Sequence, residues 1–358
     1  MSRKSELKEH SWLQGISIRL LLGQSLSLTN ARKFFRVLFR GVIPLTKAKS
    51  FLLLLAQKGE TAEELLGCLQ ALRALEKPIG PKIPGLMDTC GTGGDGRQTI
   101  NISTLVALVV AGAGVKVAKH GNRAISSKSG SSDLMEAFGV KLDTPPASMI
   151  DSLKSFGFGY FHAPFYHPVF ARVQTLRRSL KRRTILNLLG PLVNPMRLDH
   201  QLVGVSEKRL IPLYAKVLSK SGRKTALVCH SFDGMDEIST SVPTTVAWVT
   251  PNKVRMSVIR PGAFDLPKGR PGDLAVSSVL QSKVRAEKIL RGKEKGAARD
   301  TVLLNAAYGL LLCGKAGSVQ EGIALARKSI DSGKALKVLK QLQISSKIRP
   351  DEPMAILN

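Results

Sequence analysis

The chain has 358 residues, 43% hydrophobic and 22% charged, with 54 Lys and Arg against 26 Asp and Glu for a net charge of +28. Such proportions are globular, and the length suffices for one large domain with a smaller one. The four cysteines, Cys68, Cys90, Cys229 and Cys313, form no Cys-x-x-Cys pair, which argues against a disulfide frame or zinc site and for reduced thiols.

The first eighty or so residues read as helices. The apolar stretch over 12–22 is broken by Arg19 and preceded by Glu6 and Glu9, so it fits an amphipathic first helix better than a secretory or transit signal, and a cytoplasmic location follows. Thr29 is the expected cap of a helix over 30–40, and Thr46 of one over 47–58 that ends at Gly59. Thr61 with Glu64 makes a capping box for a helix over 62–75. Phe34, Phe35 and Leu38, then Phe51, Leu52 and Leu55, recur at helical spacing. The breaker-rich Lys77-Pro-Ile-Gly-Pro-Lys-Ile-Pro-Gly85 is a linker.

Two glycine-rich loops follow. In the first, Gly91-Thr-Gly-Gly-Asp95 precedes Thr99, Asn101, Ser103 and Thr104, which stand ahead of an apolar run over 105–113 with the length of a buried helix. Gly114 ends that run, and a short strand over 115–118 sets Lys119 at its end, before a second loop over 121–132 that contains Ser127 and Ser131. Such loops expose backbone N–H groups, and a helix N-terminus adds partial positive charge, so both favour phosphate. Asp95 adds a carboxylate beside the first turn, and Lys119 a fixed ammonium suited to phosphate. Cys90, within the turn, reads as a small filler rather than a nucleophile. A lone glycine turn is ordinarily only a turn and a Ser-rich loop is ordinarily solvated, but neither accounts for the joint spacing. Two phosphate-type loops joined by a helix and a strand suggest a ligand with phosphates at both ends.

Further on, a helix over 134–138 ends at Gly139, a strand is expected over 140–142, and another helix over 148–156. Residues 168–183 are helical in pattern and strongly basic; such a run usually means a solvated helix face, the meaning kept here for Arg172, Arg178, Lys181, Arg182 and Arg183. Gly190 and Pro191 stop a further helix. Strands over 202–205 and 225–229 flank a helix over 210–219. Asp236 and Glu237, adjacent on the loop after the second of these strands, repel each other unless a cation lies near, and oxygen ligands suit Mg²⁺. A solvated acidic pair is the commoner meaning, but acids are scarce in this chain. A hairpin around Asn252 joins strands over 245–249 and 254–258, and helices over 301–313 and 320–339 complete the chain. The pattern predicts a small discontinuous helical domain (1–81 with 168–188) plus a large α/β domain (82–167 and 189–358) with a mainly parallel central sheet.

Gly91-Thr-Gly-Gly-Asp95, Asn101-Ile-Ser-Thr104 and Lys119-His-Gly-Asn-Arg123 with Ser126-Ser-Lys-Ser-Gly-Ser131 together resemble the phosphate loops of the anthranilate phosphoribosyltransferase family. Ala163-Pro-Phe-Tyr-His-Pro168, the segment 184–195, Asn305-Ala-Ala307 and Asp331-Ser-Gly-Lys-Ala335 extend the resemblance over most of the chain. It implies transfer of the phosphoribosyl group of 5-phosphoribosyl 1-diphosphate to anthranilate, a step of tryptophan synthesis, by a Mg²⁺-dependent homodimer with no covalent nucleophile. By the same resemblance, Gly91, Gly94, Asp95, Thr99, Asn101, Ser103, Thr104, Lys119, Ser127 and Ser131 would bind the phosphoribosyl diphosphate. Gly91, His120, Asn122 and Arg177 would bind anthranilate, and Ser103, Asp236 and Glu237 would serve the metal.

The chain departs from the family pattern at Ser179-Leu-Lys-Arg-Arg183, where a glycine and fewer charges are usual. It departs also after Gly41, where an acidic residue is missing, and at His162. A nucleoside phosphorylase would share the architecture but show a different glycine and lysine signature. A non-catalytic relative that binds nucleic acid has only the net charge in its favour. Because the cations are spread along the chain and aromatic content is 5%, nucleic-acid binding is expected to be weak and non-specific at most.

Overall fold

The computed structural model describes residues 3–124, 127–180 and 182–347. They form two compact units, one of the described residues within 1–78 and 167–193 and one of those within 79–166 and 194–358.

The first unit is helical: Arg3–Leu21, Leu28–Phe39, Leu45–Lys58 and Ala62–Leu75, joined later in the chain by the short helices Pro168–Arg172, Gln174–Ser179 and Ile185–Leu188. Its core is aromatic, Phe34 meeting Phe35 and Phe51 edge-on with ring centroids 5.0 and 5.1 Å apart. The capping box of Thr61 and Glu64 forms as expected. The Glu64 carboxylate also accepts from Leu26 N–H and Lys58 Nζ, which is how a fully buried acid is satisfied here. Two expected caps are corrected. Ser27 rather than Thr29 caps the second helix, its Oγ accepting from Asn30 N–H at 3.3 Å. The third helix starts at Leu45 behind Pro44, which presets the entering backbone and leaves Thr46 inside the helix. The basic run 168–183 is two short helices instead of one. Glu76 receives His167 Nδ1 at 2.7 Å and Val169 N–H at 2.6 Å, anchoring the start of the returning segment. Lys181 and the side chains of Arg172 and Arg178 lie outside the described residues.

The second unit is built on a seven-stranded sheet: β1 (Met87–Gly91), β2 (Val117–Gly121), β3 (Phe158–His162), β4 (His200–Gly204), β5 (Thr225–Ser231), β6 (Thr244–Thr250) and β7 (Lys253–Ile259). The order is β3-β2-β1-β4-β5-β6-β7, with β1 to β5 parallel and β6 and β7 antiparallel. The expected strand over 140–142 does not form, and β2 starts later than the 115–118 reading, so Lys119 sits inside a strand and is buried. The helix Ile102–Gly112 is buried along nearly its whole length and packs against the helices Ala297–Leu312 and Lys334–Ser345. A Cβ at Gly112 would press on the Ala335 backbone, so glycine permits that approach. The helix expected over 320–339 is two, Val319–Asp331 and Lys334–Ser345, because Gly333 turns the backbone left-handed at φ 75°. Asn252 takes φ 59° in the β6–β7 turn, where its side chain type tolerates that conformation. On the edge strand β7, Val254, Met256 and Val258 are exposed on one face and alternate with Lys253 and Arg255.

This topology sets the place of any ligand. The chain builds outward from β1 to β2 and β3, then returns to add β4 on the other flank of β1. Adjacent parallel strands whose connections diverge leave a crevice at their carboxyl ends, between β1 and β4.

Candidate active site

Both glycine loops open from that end of the sheet. Gly91, the last residue of β1, pairs with Gly204, the last of β4. Asp236 fills the space between them: a Cβ on Gly91 would overlap the Asp236 carboxylate and one on Gly204 its carbonyl oxygen. The first loop begins where Thr92 N–H meets Gly204 O at 2.9 Å, and it runs through positive φ at Gly93, Gly94 and Gly96. Gly93 N–H donates to Asp236 Oδ2 at 3.1 Å, so a backbone donor of the glycine turn is joined to the acidic loop.

That acidic loop is held from below. Asn305 receives Ile238 N–H at 2.9 Å and donates Nδ2 to Ile238 O at 2.8 Å, while Asp233 accepts from Ser231 Oγ and Ser239 Oγ. Carboxylate oxygens of Asp95, Asp236 and Glu237 thereby lie within 4.8 Å of one another. Burial, then the neighbouring charge of Asp236, pushes Asp95 up to about 6. Glu237 is pushed well above the usual carboxylate range by burial and then by Asp236 and Asp95. Its Oε2 is sealed from solvent with no hydrogen-bond partner among the described residues. Ser103, Thr89, Gly204 and Asn305 line the same small recess as Asp236 and Glu237. Crowded, desolvated carboxylates with an unsatisfied oxygen fit a hard divalent cation. Ser103, Asp236 and Glu237 are thus together as expected, and Asp95, read as a diphosphate contact, joins them.

The second loop is stitched to the first helix. Asn101 stands at the N-cap position of Ile102–Gly112, but its side chain does not cap. It donates to Ser129 O at 2.9 Å and accepts from Ser129 Oγ and Ser282 Oγ, each at 2.8 Å. Ser127 Oγ donates to Ser129 O at 3.3 Å. Ser131 Oγ accepts from Asn122 N–H at 3.1 Å and from the Tyr160 hydroxyl at 3.2 Å. Asn122 is exposed. Thr99 pairs with Ala275 in an isolated antiparallel bridge, and Thr104 is buried.

Under the loops lies a charged floor. Lys119 Nζ donates to Thr89 O at 2.6 Å and to His120 O at 3.3 Å. Beside it Asp88 accepts from His120 N–H at 3.2 Å and Asn194 Nδ2 at 3.0 Å. Burial raises the Asp88 pKa, and Lys119 and Asn194 oppose the rise. Lys119 thus meets carbonyls below the loops rather than standing free at a strand end, and the His120 side chain is also buried. Burial raises the pKa of the Cys90 thiol, and the nearby Asp88 charge adds to the rise, which disfavours the thiolate.

Arg177 belongs to the helical unit, half-buried, with its guanidinium 5.4 Å from the Phe170 ring centroid. Burial lowers its pKa, and stacking on a ring sets it apart from a freely solvated basic face. Reading for chemistry missed Gly204, Asn305 and Asn194. Asn305 and Asn194 stand in segments noted for their resemblance, but their partners are remote in the chain. Gly204 could have been found as a glycine closing an apolar strand.

The α/β part matches, over residues 84–336, a family profile described as the a/b domain of a glycosyl transferase family, and residues 16–75 match that family's helical bundle domain. The chain belongs to this glycosyl transferase family. An anthranilate phosphoribosyltransferase of Desulfosudis oleivorans is 41% identical to it over 324 residues, 90% of this chain and 96% of the relative. One of Bacillus cereus is 44% identical over 297 residues, 83% and 87% of the two chains. Among solved structures, anthranilate phosphoribosyltransferase of Thermus thermophilus superposes with a TM-score of 0.86 at 34% identity, covering 93% of this chain and 99% of that one. The Saccharomyces cerevisiae enzyme in complex with PRPP and Mg gives 0.85 at 28% identity, covering 94% and 98%. The alternative of a non-catalytic nucleic-acid binder finds no support in these matches. Among the described residues no helix is long and apolar enough to cross a membrane.

Proposed function

We propose that the chain transfers the phosphoribosyl group of 5-phosphoribosyl 1-diphosphate to the amine of anthranilate, releasing diphosphate. The observation that carries this reading is the meeting of Asp95, Asp236 and Glu237 at the mouth of a glycine loop whose backbone is bonded to one of them. In the reaction the amine nitrogen forms a bond to the ribose C1, the C1–O bond to diphosphate breaks with its electron pair, and the amine gives up a proton. Mg²⁺, when bound at Ser103, Asp236 and Glu237 with Asp95 beside them, would neutralise the departing diphosphate. The protein's remaining work is positioning and electrostatics. Gly91, Gly94, Asp95, Thr99, Asn101, Ser103 and Thr104 receive the diphosphate end, and Ser127 and Ser131 the other phosphate loop's share of the donor. Lys119 keeps positive charge beneath both. Asn122, His120 and Gly91 line the acceptor, and Arg177 takes its carboxylate through two parallel hydrogen bonds. By the same resemblance we read the protein as a cytoplasmic homodimer.

The test is loss of anthranilate fluorescence by the purified protein with donor, acceptor and Mg²⁺ present. Steady fluorescence under those conditions rejects the assignment. Arg177→Ala is expected to raise the anthranilate KM at least about tenfold while leaving the donor KM near wild type. Equal effects on both would return Arg177 to a solvated basic face.

A further inference from the structure

We infer that Arg97 is a diphosphate-binding residue, a guanidinium held at the carboxyl-terminal end of the first glycine loop to meet the leaving group. The inference deepens the transferase reading and rests on it.

The loop is fixed at both ends, and between them Gly93 N–H reaches the Asp236 carboxylate. At its start, Thr92 N–H donates to Gly204 O and Thr92 Oγ1 accepts from Ser206 N–H at 3.0 Å. At its end, Val276 N–H donates to Gln98 O at 2.8 Å and Ile100 N–H to Leu274 O at 2.9 Å. Arg97 lies between these clamps, its own N–H donating to Asp95 Oδ1 at 3.1 Å. Gly96 before it has φ 74°, and Gln98 after it has φ 46°, a left-handed conformation that a residue with a side chain seldom takes. Such a conformation persists where the surrounding contacts impose it, and here it follows the clamp formed by residues 98–100.

This backbone aims the side chain across to the acidic loop. A Cβ added to Gly234 would fall 3.3 Å from Arg97 Nη2, so the guanidinium lies over the turn just before Met235 and Asp236. Gly234 has φ 92°, a backbone conformation that calls for glycine. Arg97 is exposed, and among the described residues its guanidinium forms no hydrogen bond or ion pair. Its five donors are therefore uncommitted at the rim that joins the glycine loop to the three carboxylates. A diphosphate seated there offers acceptor oxygens in the geometry that a planar guanidinium grips two at a time. Lys119, by contrast, is buried with its ammonium on carbonyls. Arg97 is the cation of this loop with donors to spare.

The experiment compares wild type, Arg97→Gln and Arg97→Lys. It measures the KM of each substrate, kcat, and the affinity for inorganic diphosphate with Mg²⁺ by calorimetry, a binding readout that needs no turnover. For Arg97→Gln we expect the phosphoribosyl diphosphate KM and the diphosphate Kd to rise roughly tenfold, with the anthranilate KM unchanged and partial recovery in Arg97→Lys. An unchanged diphosphate Kd, or an equal rise in both KM values, overturns the assignment of Arg97. Wild-type protein that neither binds diphosphate nor consumes anthranilate overturns the transferase reading instead, and the Arg97 assignment with it.

Discussion

At the amino ends of the parallel strands, Asp199 accepts Gly85 N–H at 2.9 Å and lies 3.0 Å from Lys224 Nζ. Burial alone would push its carboxyl up, but those two donors hold it below the usual range. At the carboxyl ends of the same sheet, Asp95, Asp236 and Glu237 crowd together, and burial with mutual repulsion raises Asp95 and Glu237. A carboxylate with partners stabilises the fold. Three carboxylates without enough partners destabilise it, and their arrangement makes sense as capacity to bind a cation. The contrast separates acids that hold the sheet from acids left with room for a cation.

The largest effect should come from Gly204→Ala, whose Cβ would collide with the Asp236 carbonyl. The acidic loop would have to move away from Gly91, and activity should fall at least about a hundredfold, since a displacement near 1 Å costs that much. Fluorescence turnover beside a circular-dichroism check of folding decides it; a variant within tenfold of wild type would mean that this packing does not place the carboxylates. Asp236→Asn comes next and should split activity from stability. The Mg²⁺ concentration for half-maximal rate should rise roughly ten- to a hundredfold, while the Tm without Mg²⁺ should rise by about 2 °C because one crowded charge is gone. A lower Tm would show that the Asp236 charge holds the loop instead of straining it.

Asp199→Asn should do the reverse on the smallest scale, costing about 1 kcal/mol at pH 7 with turnover unchanged. The folded pKa of Asp199 lies below its unfolded value of about 3.9, so its contribution is present above that pH and is lost as pH falls through the folded pKa. Denaturant unfolding across pH should show the two proteins differing near neutrality and converging in acid. A gap that widens in acid would remove Asp199 from the stabilising side of the comparison.

What local pattern could reveal was set by near neighbours. Thr61 and Glu64 need only each other, and the helix Leu210–Ser219 carries its own apolar stripe, so both were readable. β1 was not, because Met87-Asp-Thr-Cys-Gly91 puts polar residues at buried positions. Asp88 becomes tolerable there only when Asn194 and the His120 N–H arrive from distant segments. β3 was hidden for a related reason: Phe158-Gly-Tyr-Phe-His162 runs straight into Ala-Pro and lacks an alternating face. At the site, the loops and the acidic pair announced themselves by residue type. The pairing of Gly91 with Gly204, the bonding of Asn305 to the acidic loop and the addition of Asp95 to the carboxylates depend on strand order, which no short window contains.

The edge strand β7 gives the cation excess one local use. A free edge with Val254, Met256 and Val258 exposed is a template on which another chain could lay a strand and begin an aggregate. Lys253 and Arg255 alternate with those residues, so a second copy approaching edge to edge would set like charges opposite one another. Part of the +28 then acts as a solubility guard where the sheet ends, and a chain stripped of it would be expected to precipitate from that edge first.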